Sequence, residues 1–201
     1  MDFKAVLRKI WFFIWEDNSI WSWIVNIILA FVIIKFLVYP GLGLVLGTSH
    51  PIVAVVSGSM EHPESSFDDW WIRECQDHKQ KDIYSKYGIS KSVFLGFDYT
   101  NGFNKGDIML LRSPENIEVG DIIVFMSSAR PEPIIHRVVQ VKEKNNEISY
   151  KTKGDNNCGS ADFEMDISKE SIIGKTLFKI PLLGWIKIGF VELMSIVGSI
   201  L

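Results

Sequence analysis

Between Ile20 and Val38 the chain reads I-W-S-W-I-V-N-I-I-L-A-F-V-I-I-K-F-L-V. A helix of that length covers a hydrocarbon core of ~30 Å, and only helices and closed barrels can cross one. This run predicts a transmembrane helix over 19–39. Asn26 is the polar residue near its middle, and Lys35 lies close enough to the far end to snorkel. Trp21, Trp23 and Tyr39 are placed for two interfacial belts. Pro40-Gly41 predicts the end of the helix, and Leu42–Ser49 a short connection.

Ahead of that run, residues 1–18 mix Lys4, Arg8 and Lys9 with large apolar side chains and predict an amphipathic segment in the membrane interface. W-E-D-N follows where a cleavable leader would carry small residues. Basic residues precede the span and acidic ones follow it, which places the N-terminus in the cytoplasm and the rest outside. A chain of 201 residues, 47% of them hydrophobic and with a mean hydropathy of +0.16, is high in apolar content for a soluble protein and low for a polytopic one. One or two spans and a sizeable water-exposed domain fit best. The net charge of -3, without a long basic patch, gives nucleic-acid binding no electrostatic support.

The exposed part changes period. Asp107–Arg112, Asp121–Phe125, Ile134–Lys142, Glu147–Lys153 and Ser168–Phe178 read as strands, the last with a bend or bulge at Gly174. Turn signals S-P, V-G-D, P-E-P and N-N separate them. The expectation is a mainly β domain built from 47–60 and 106–178, antiparallel and partly closed. Between those pieces, 61–105 reads as a helical cap. Phe67–Tyr87 has helical character with Ser65 or Ser66 as N-cap, and Ser90 caps a second short helix. Its many aromatics suit packing on the β domain, and a lid or partner surface is the other reading. Residues 180–201 are apolar but interrupted by Lys187 and Glu192. A membrane-associated helix, interfacial or spanning, is expected there.

Chemistry concentrates where P-I-V-A-V-V stops abruptly at Ser57-Gly58-Ser59-Met60. Serine is a weak nucleophile until a base takes its proton. Of the four histidines only His136 lies inside a strand-like run, I-I-H-R-V-V. T-K-G-D-N-N, Thr152–Asn157, then supplies a carboxylate in a turn. Serine, histidine and aspartate in that order form a workable triad, since triads are defined by geometry. Arg137 alternates to the opposite strand face and suits a structural pairing, with Asp155 among the candidates. Cys75 and Cys158 belong to no metal spacing. A disulfide tying the cap to the catalytic loop and two free thiols both remain open.

Four segments, S-G-S-M at Ser57–Met60, G-D-I-I-V-F at Gly120–Phe125, I-I-H-R-V at Ile134–Val138 and T-K-G-D-N-N, resemble the boxes of type I signal peptidases. The resemblance is to the archaeal and endoplasmic-reticulum branch, in which histidine replaces the bacterial lysine. It implies a coiled, β-barrel-like domain, with 61–105 as an insertion after the nucleophile box. It also implies a serine endopeptidase that releases signal peptides after small residues. Ser59 would be the nucleophile, its N–H and the Ser57 hydroxyl the oxyanion hole, and His136 the general base. The second family aspartate falls on Ala161 here, with the acid one place later at Asp162. Asp162 is favoured over Asp155 as the partner of His136, with Asp166 outside them. Ile52, Val53 and Val55 would shape shallow substrate pockets. No metal or organic cofactor is implied. The implied partners are preprotein signal peptides, the lipid bilayer and the secretion translocon. Three rival readings are a non-enzymatic anchored β module, with Ser59 far from His136, another protease of the same clan with different substrates, and a bacterial-type Ser–Lys leader peptidase.

Overall fold

The computed structural model describes residues 2–144, 146–186 and 188–189. The chain divides into two units, Met1–Val45 and Leu46–Leu201. In the first, α1 (Phe3–Trp15) is capped by Asp2, and α2 (Ile20–Ile33) by the Ser19 hydroxyl, which accepts from the Ser22 N–H. The two helices are tied by side chains. Ser22 donates to the carbonyl of Phe13, and the Asn26 amide to that of Ile14 at 2.9 Å. Both acceptors lie in the last turn of α1, where helical carbonyls lack partners.

The sequence predicts a stop at Pro40-Gly41, yet the helix continues. A π-helical turn over Ile34–Val38 leads into α3 (Tyr39–Leu46). Proline lacks an N–H, and shifting the hydrogen-bond register just before it lets the helix pass through. The continuous stretch Ile20–Leu46 is the one helix, among the described residues, long and apolar enough to cross a membrane.

In the second unit nine strands are described. They are β1 (Ile52–Ala54), β2 (Glu74–Cys75), β3 (His78–Lys79), β4 (Ile108–Arg112), β5 (Ile122–Ser127), β6 (Arg130–Lys144), β7 (Glu147–Lys153), β8 (Ile167–Ser168) and β9 (Ile172–Ile180). Seven form one antiparallel sheet in the order β1-β4-β9-β5-β6-β7-β8, and β2 pairs with β3 alone. The hydrogen-bonded ladder runs from β1 to β8 without closing, so the expected barrel-like domain is an open, coiled sheet.

β5 shows how that sheet is held. Ile122 and Val124 point into a core with Val55, Met60 and Leu111, while Ile123 and Phe125 point into another with Ile134, Val138 and Tyr150. Period-2 alternation puts apolar side chains on both faces, which the sheet covers by curling. Each such buried side chain contributes ~1.5–3 kcal/mol. The register shifts where Gly174 meets β5, the expected bulge. A Cβ there would come within 2.8 Å of the Arg112 carbonyl oxygen.

The cap is less helical than its sequence predicts. Ser66 and Ser90 cap α4 (Phe67–Ile72) and α6 (Lys91–Leu95) through their hydroxyls. The β2–β3 hairpin interrupts the run before α5 (Gln80–Ser85), with Gln76 at φ 55° in its turn. Trp70, Trp71, Tyr84, Ile89 and Phe94 form a third core that includes Val139 of β6. Most of the C-terminal segment 180–201 lies outside the described residues.

Candidate active site

The nucleophile segment begins as β-structure. Beyond β1, the Val55 N–H donates to Asp107 and the Val55 carbonyl accepts from Gly106, both at 2.9 Å. The chain then turns through Ser57-Gly58-Ser59 and is anchored by Met60, whose fully buried side chain sits in the first core. The neighbouring loop secures the turn. The Asn156 N–H donates to the Ser59 carbonyl at 2.8 Å, and its side-chain amide to the Gly58 carbonyl at 2.9 Å.

Ser59 projects its hydroxyl at β6. His136 Nε2 is 2.9 Å from Ser59 Oγ, and the Ser57 hydroxyl lies 3.1 Å from the same oxygen. On the other side of the imidazole, Nδ1 meets Glu164 Oε1 in a close hydrogen bond. Glu164 is itself held at both oxygens. Oε1 also accepts from the Thr152 hydroxyl at 3.0 Å, and Oε2 from the Ala161 N–H at 2.8 Å. This second contact makes Glu164 the third residue of a 3-10 turn, Asp162–Glu164, reaching back over its own N-terminus.

The carboxylate on the histidine is therefore neither of the two expected aspartates. Asp162 opens that turn and faces solvent. Asp155 is buried on the far side of β6. There Arg137 approaches through Nη2 at 2.8 Å and Nε at 3.0 Å, Tyr84 donates at 2.8 Å, and His62 Nε2 stands at 3.1 Å. Burial would raise the Asp155 pKa, but the Arg137 charge and the bonds from His62 and Arg137 outweigh it and hold the carboxyl well below its usual range. Arg137 also donates to the carbonyls of Asp98, Tyr99 and Gly120, a structural role as its strand position predicts.

Lys153 is fully buried too, and burial pulls its pKa down to about 7. Its ammonium donates to Gln80 Oε1 and to the carbonyls of Gly154 and Asp155. Gly154 is required by space. A Cβ there would sit 2.8 Å from both His136 Nε2 and the Ser59 carbonyl oxygen. Cys75 and Cys158 form a disulfide, with Cα atoms 5.2 Å apart, so the question the sequence left open resolves to a bond.

A cleft of about 750 Å³ opens at Ser59 and His136, walled by Val53, Ala54 and Val56 on one side and by Ile134, Ile135 and Phe163 on another. Of the apolar residues expected to shape it, Val53 does. Ile52 lies outside the lining, and Val55 is 1% exposed and sealed in the core, because alternation turns it inward. Ala54 and Val56 take their place. Glu164 is the functional residue that sequence reasoning missed. Its signal was an acid three places after Ala161, at the N-terminus of a short turn.

No family model matches the chain. Among curated proteins, the signal peptidase complex catalytic subunit of Yarrowia lipolytica is 26% identical over 166 residues, 79% of this chain and 73% of that protein. The human signal peptidase complex catalytic subunit is 27% identical over 166 residues, covering 76% and 63%. The chain is a homologue of signal peptidase catalytic subunits. A third such subunit, from Colletotrichum graminicola, is 29% identical over 161 residues, covering 76% of this chain and 71% of its own. These names agree with the family that the sequence boxes resemble, and the mainly β fold and the anchor-like helix are consistent with it.

Proposed function

We propose that the chain is a membrane-bound serine endopeptidase that cleaves signal peptides from preproteins. The observation that carries this reading is the continuous contact Ser59 Oγ to His136 Nε2, and His136 Nδ1 to Glu164, at the floor of an open cleft. Ser59 attacks the scissile carbonyl while His136 takes its proton at Nε2. Glu164 holds the Nδ1–H tautomer and stabilises the imidazolium. The tetrahedral oxyanion is met by the Ser59 N–H and the Ser57 hydroxyl. Collapse returns the proton from His136 to the leaving amine, and a water activated the same way then releases the acyl group from Ser59.

A base of imidazole type has an ordinary pKa near ~6.5 and works at neutral pH without deep burial. The buried lysine near the site, Lys153, donates its hydrogen bonds to Gln80 and to its own loop, which disfavours a Ser–Lys mechanism. A non-enzymatic β module would have no need to bring Ser59 within 2.9 Å of His136. The small and branched side chains of Val53, Ala54 and Val56 favour substrates with small residues before the cut. A disulfide fits an oxidising, extracytoplasmic location for the β domain. The helix Ile20–Leu46 would anchor it beside its membrane-borne substrates and the secretion translocon.

The test is cleavage of a preprotein by the full chain in membranes. Ser59→Ala and His136→Ala should each abolish cleavage while thermal unfolding of the β domain stays near wild type. Cleavage retained by either folded variant would overturn the assignment.

A further inference from the structure

The loop Gly154–Cys158 touches the nucleophile on one side and the cap on the other. Towards the nucleophile, Asn156 bonds the carbonyls of both Gly58 and Ser59. Away from it, four consecutive loop carbonyls accept from side chains. Lys153 serves Gly154 and Asp155, Arg73 Nη2 reaches Asn156 at 3.0 Å, and Gln80 Nε2 reaches Asn157 at 3.3 Å. Gln80 also accepts from Lys153 through Oε1 at 2.9 Å, so it reaches the loop directly and through the lysine that serves it. Cys75 fixes the end of the loop covalently at Cys158. Loop carbonyls are usually satisfied by water or by their own backbone. Here Arg73, Cys75 and Gln80 all come from the cap, which the triad does not use.

We propose that the cap is a positioning element of the catalytic site: Arg73, Gln80 and the Cys75–Cys158 bond fix the loop from which Asn156 sets the place of Ser59. The proposal rests on the peptidase reading above. None of the three cap residues reaches the Ser59 hydroxyl, so their influence passes through the loop backbone. A reacting atom misplaced by ~1 Å costs ~100-fold in rate, and a partly loosened loop should cost about tenfold.

The experiment uses the full chain in lipid vesicles with a preprotein substrate, comparing Arg73→Met, the double variant Cys75→Ser/Cys158→Ser, and Lys91→Met as a control. Lys91 pairs with Asp68 within the cap and touches none of the loop bonds named above. Arg73→Met and the cysteine double variant should lose about tenfold in kcat per folded molecule with KM little changed, and Lys91→Met should match wild type. In a parallel hydrogen-exchange measurement the Asn156 N–H should exchange faster in both loop-contact variants. Unchanged kcat in the folded variants, or a rise in KM alone, overturns the proposal. So does unchanged Asn156 exchange, which is read without substrate. If wild type itself fails to cleave, the peptidase reading falls, and the exchange result still decides whether the cap holds the loop.

Discussion

Two neighbours on β6, His136 and Arg137, each take a carboxylate from the same segment, and the two pairs are opposites. His136 turns to the cleft, keeps one ring nitrogen for Ser59 and gives the other to Glu164. Arg137 turns away, is 0% exposed, and spends its donors on Asp155 and three backbone carbonyls. Strand alternation alone separates them. The open pair borders the cleft where a substrate would enter, whereas the sealed pair is shut away from solvent. Position in a sequence box says little about which carboxylate does chemistry. What it faces decides.

The largest effect should come from breaking the open pair. Glu164→Gln leaves the turn its backbone contact but removes the charge that holds the imidazole, and kcat should fall by ~10⁴. Asp162→Asn, at the exposed start of the same turn, should cleave at a rate close to wild type. Steady-state kinetics on both variants checks this, and the reverse pattern would return the role to Asp162.

Breaking the sealed pair should act on folding. Asp155→Asn leaves the Arg137 guanidinium buried without its counter-charge, at a cost of ~3–5 kcal/mol in urea unfolding. Because the Asp155 pKa is lowered in the fold, its stabilisation is full above the unfolded carboxylate value of ~3.9 and is lost as pH falls below it. An unfolding midpoint for Asp155→Asn equal to wild type would show the pair to be dispensable.

Lys153 sharpens the contrast by a smaller amount. Its folded pKa of about 7 lies below that of the unfolded chain, so from there up to ~10.4 the unfolded state binds the extra proton. Stability should therefore rise with pH across that window, by at most ~1.4 kcal/mol per unit. Urea melts of wild type and Lys153→Met at two pH values test it, the variant losing this contribution to the slope.

The strands were legible from period-2 alternation, and the Ser59–His136 pairing from the four boxes that resemble type I signal peptidases. Ser66 and Ser90 were legible as caps from local sequence. Glu164 was not, since a 3-10 turn advances each side chain by about a third of a circle. Only the formed turn shows that its third residue, not its first, faces His136. The helix through Pro40 was hidden by a register shift that no single residue announces. The β2–β3 hairpin was hidden by its shortness, two residues a side, and cysteine positions alone do not reveal the Cys75–Cys158 pairing.

The ladder order carries one more consequence, concerning the sequence of assembly. β4 and β5 are not paired with each other; β9, the last described strand, lies between them. Without Ile172–Ile180 the sheet is two pieces, β1–β4 leading to Ser59 and β5–β8 carrying His136. During synthesis the nucleophile and its base therefore belong to separate hydrogen-bonded ladders until nearly the whole described chain has emerged. A chain built this way completes the sheet between its reacting groups last.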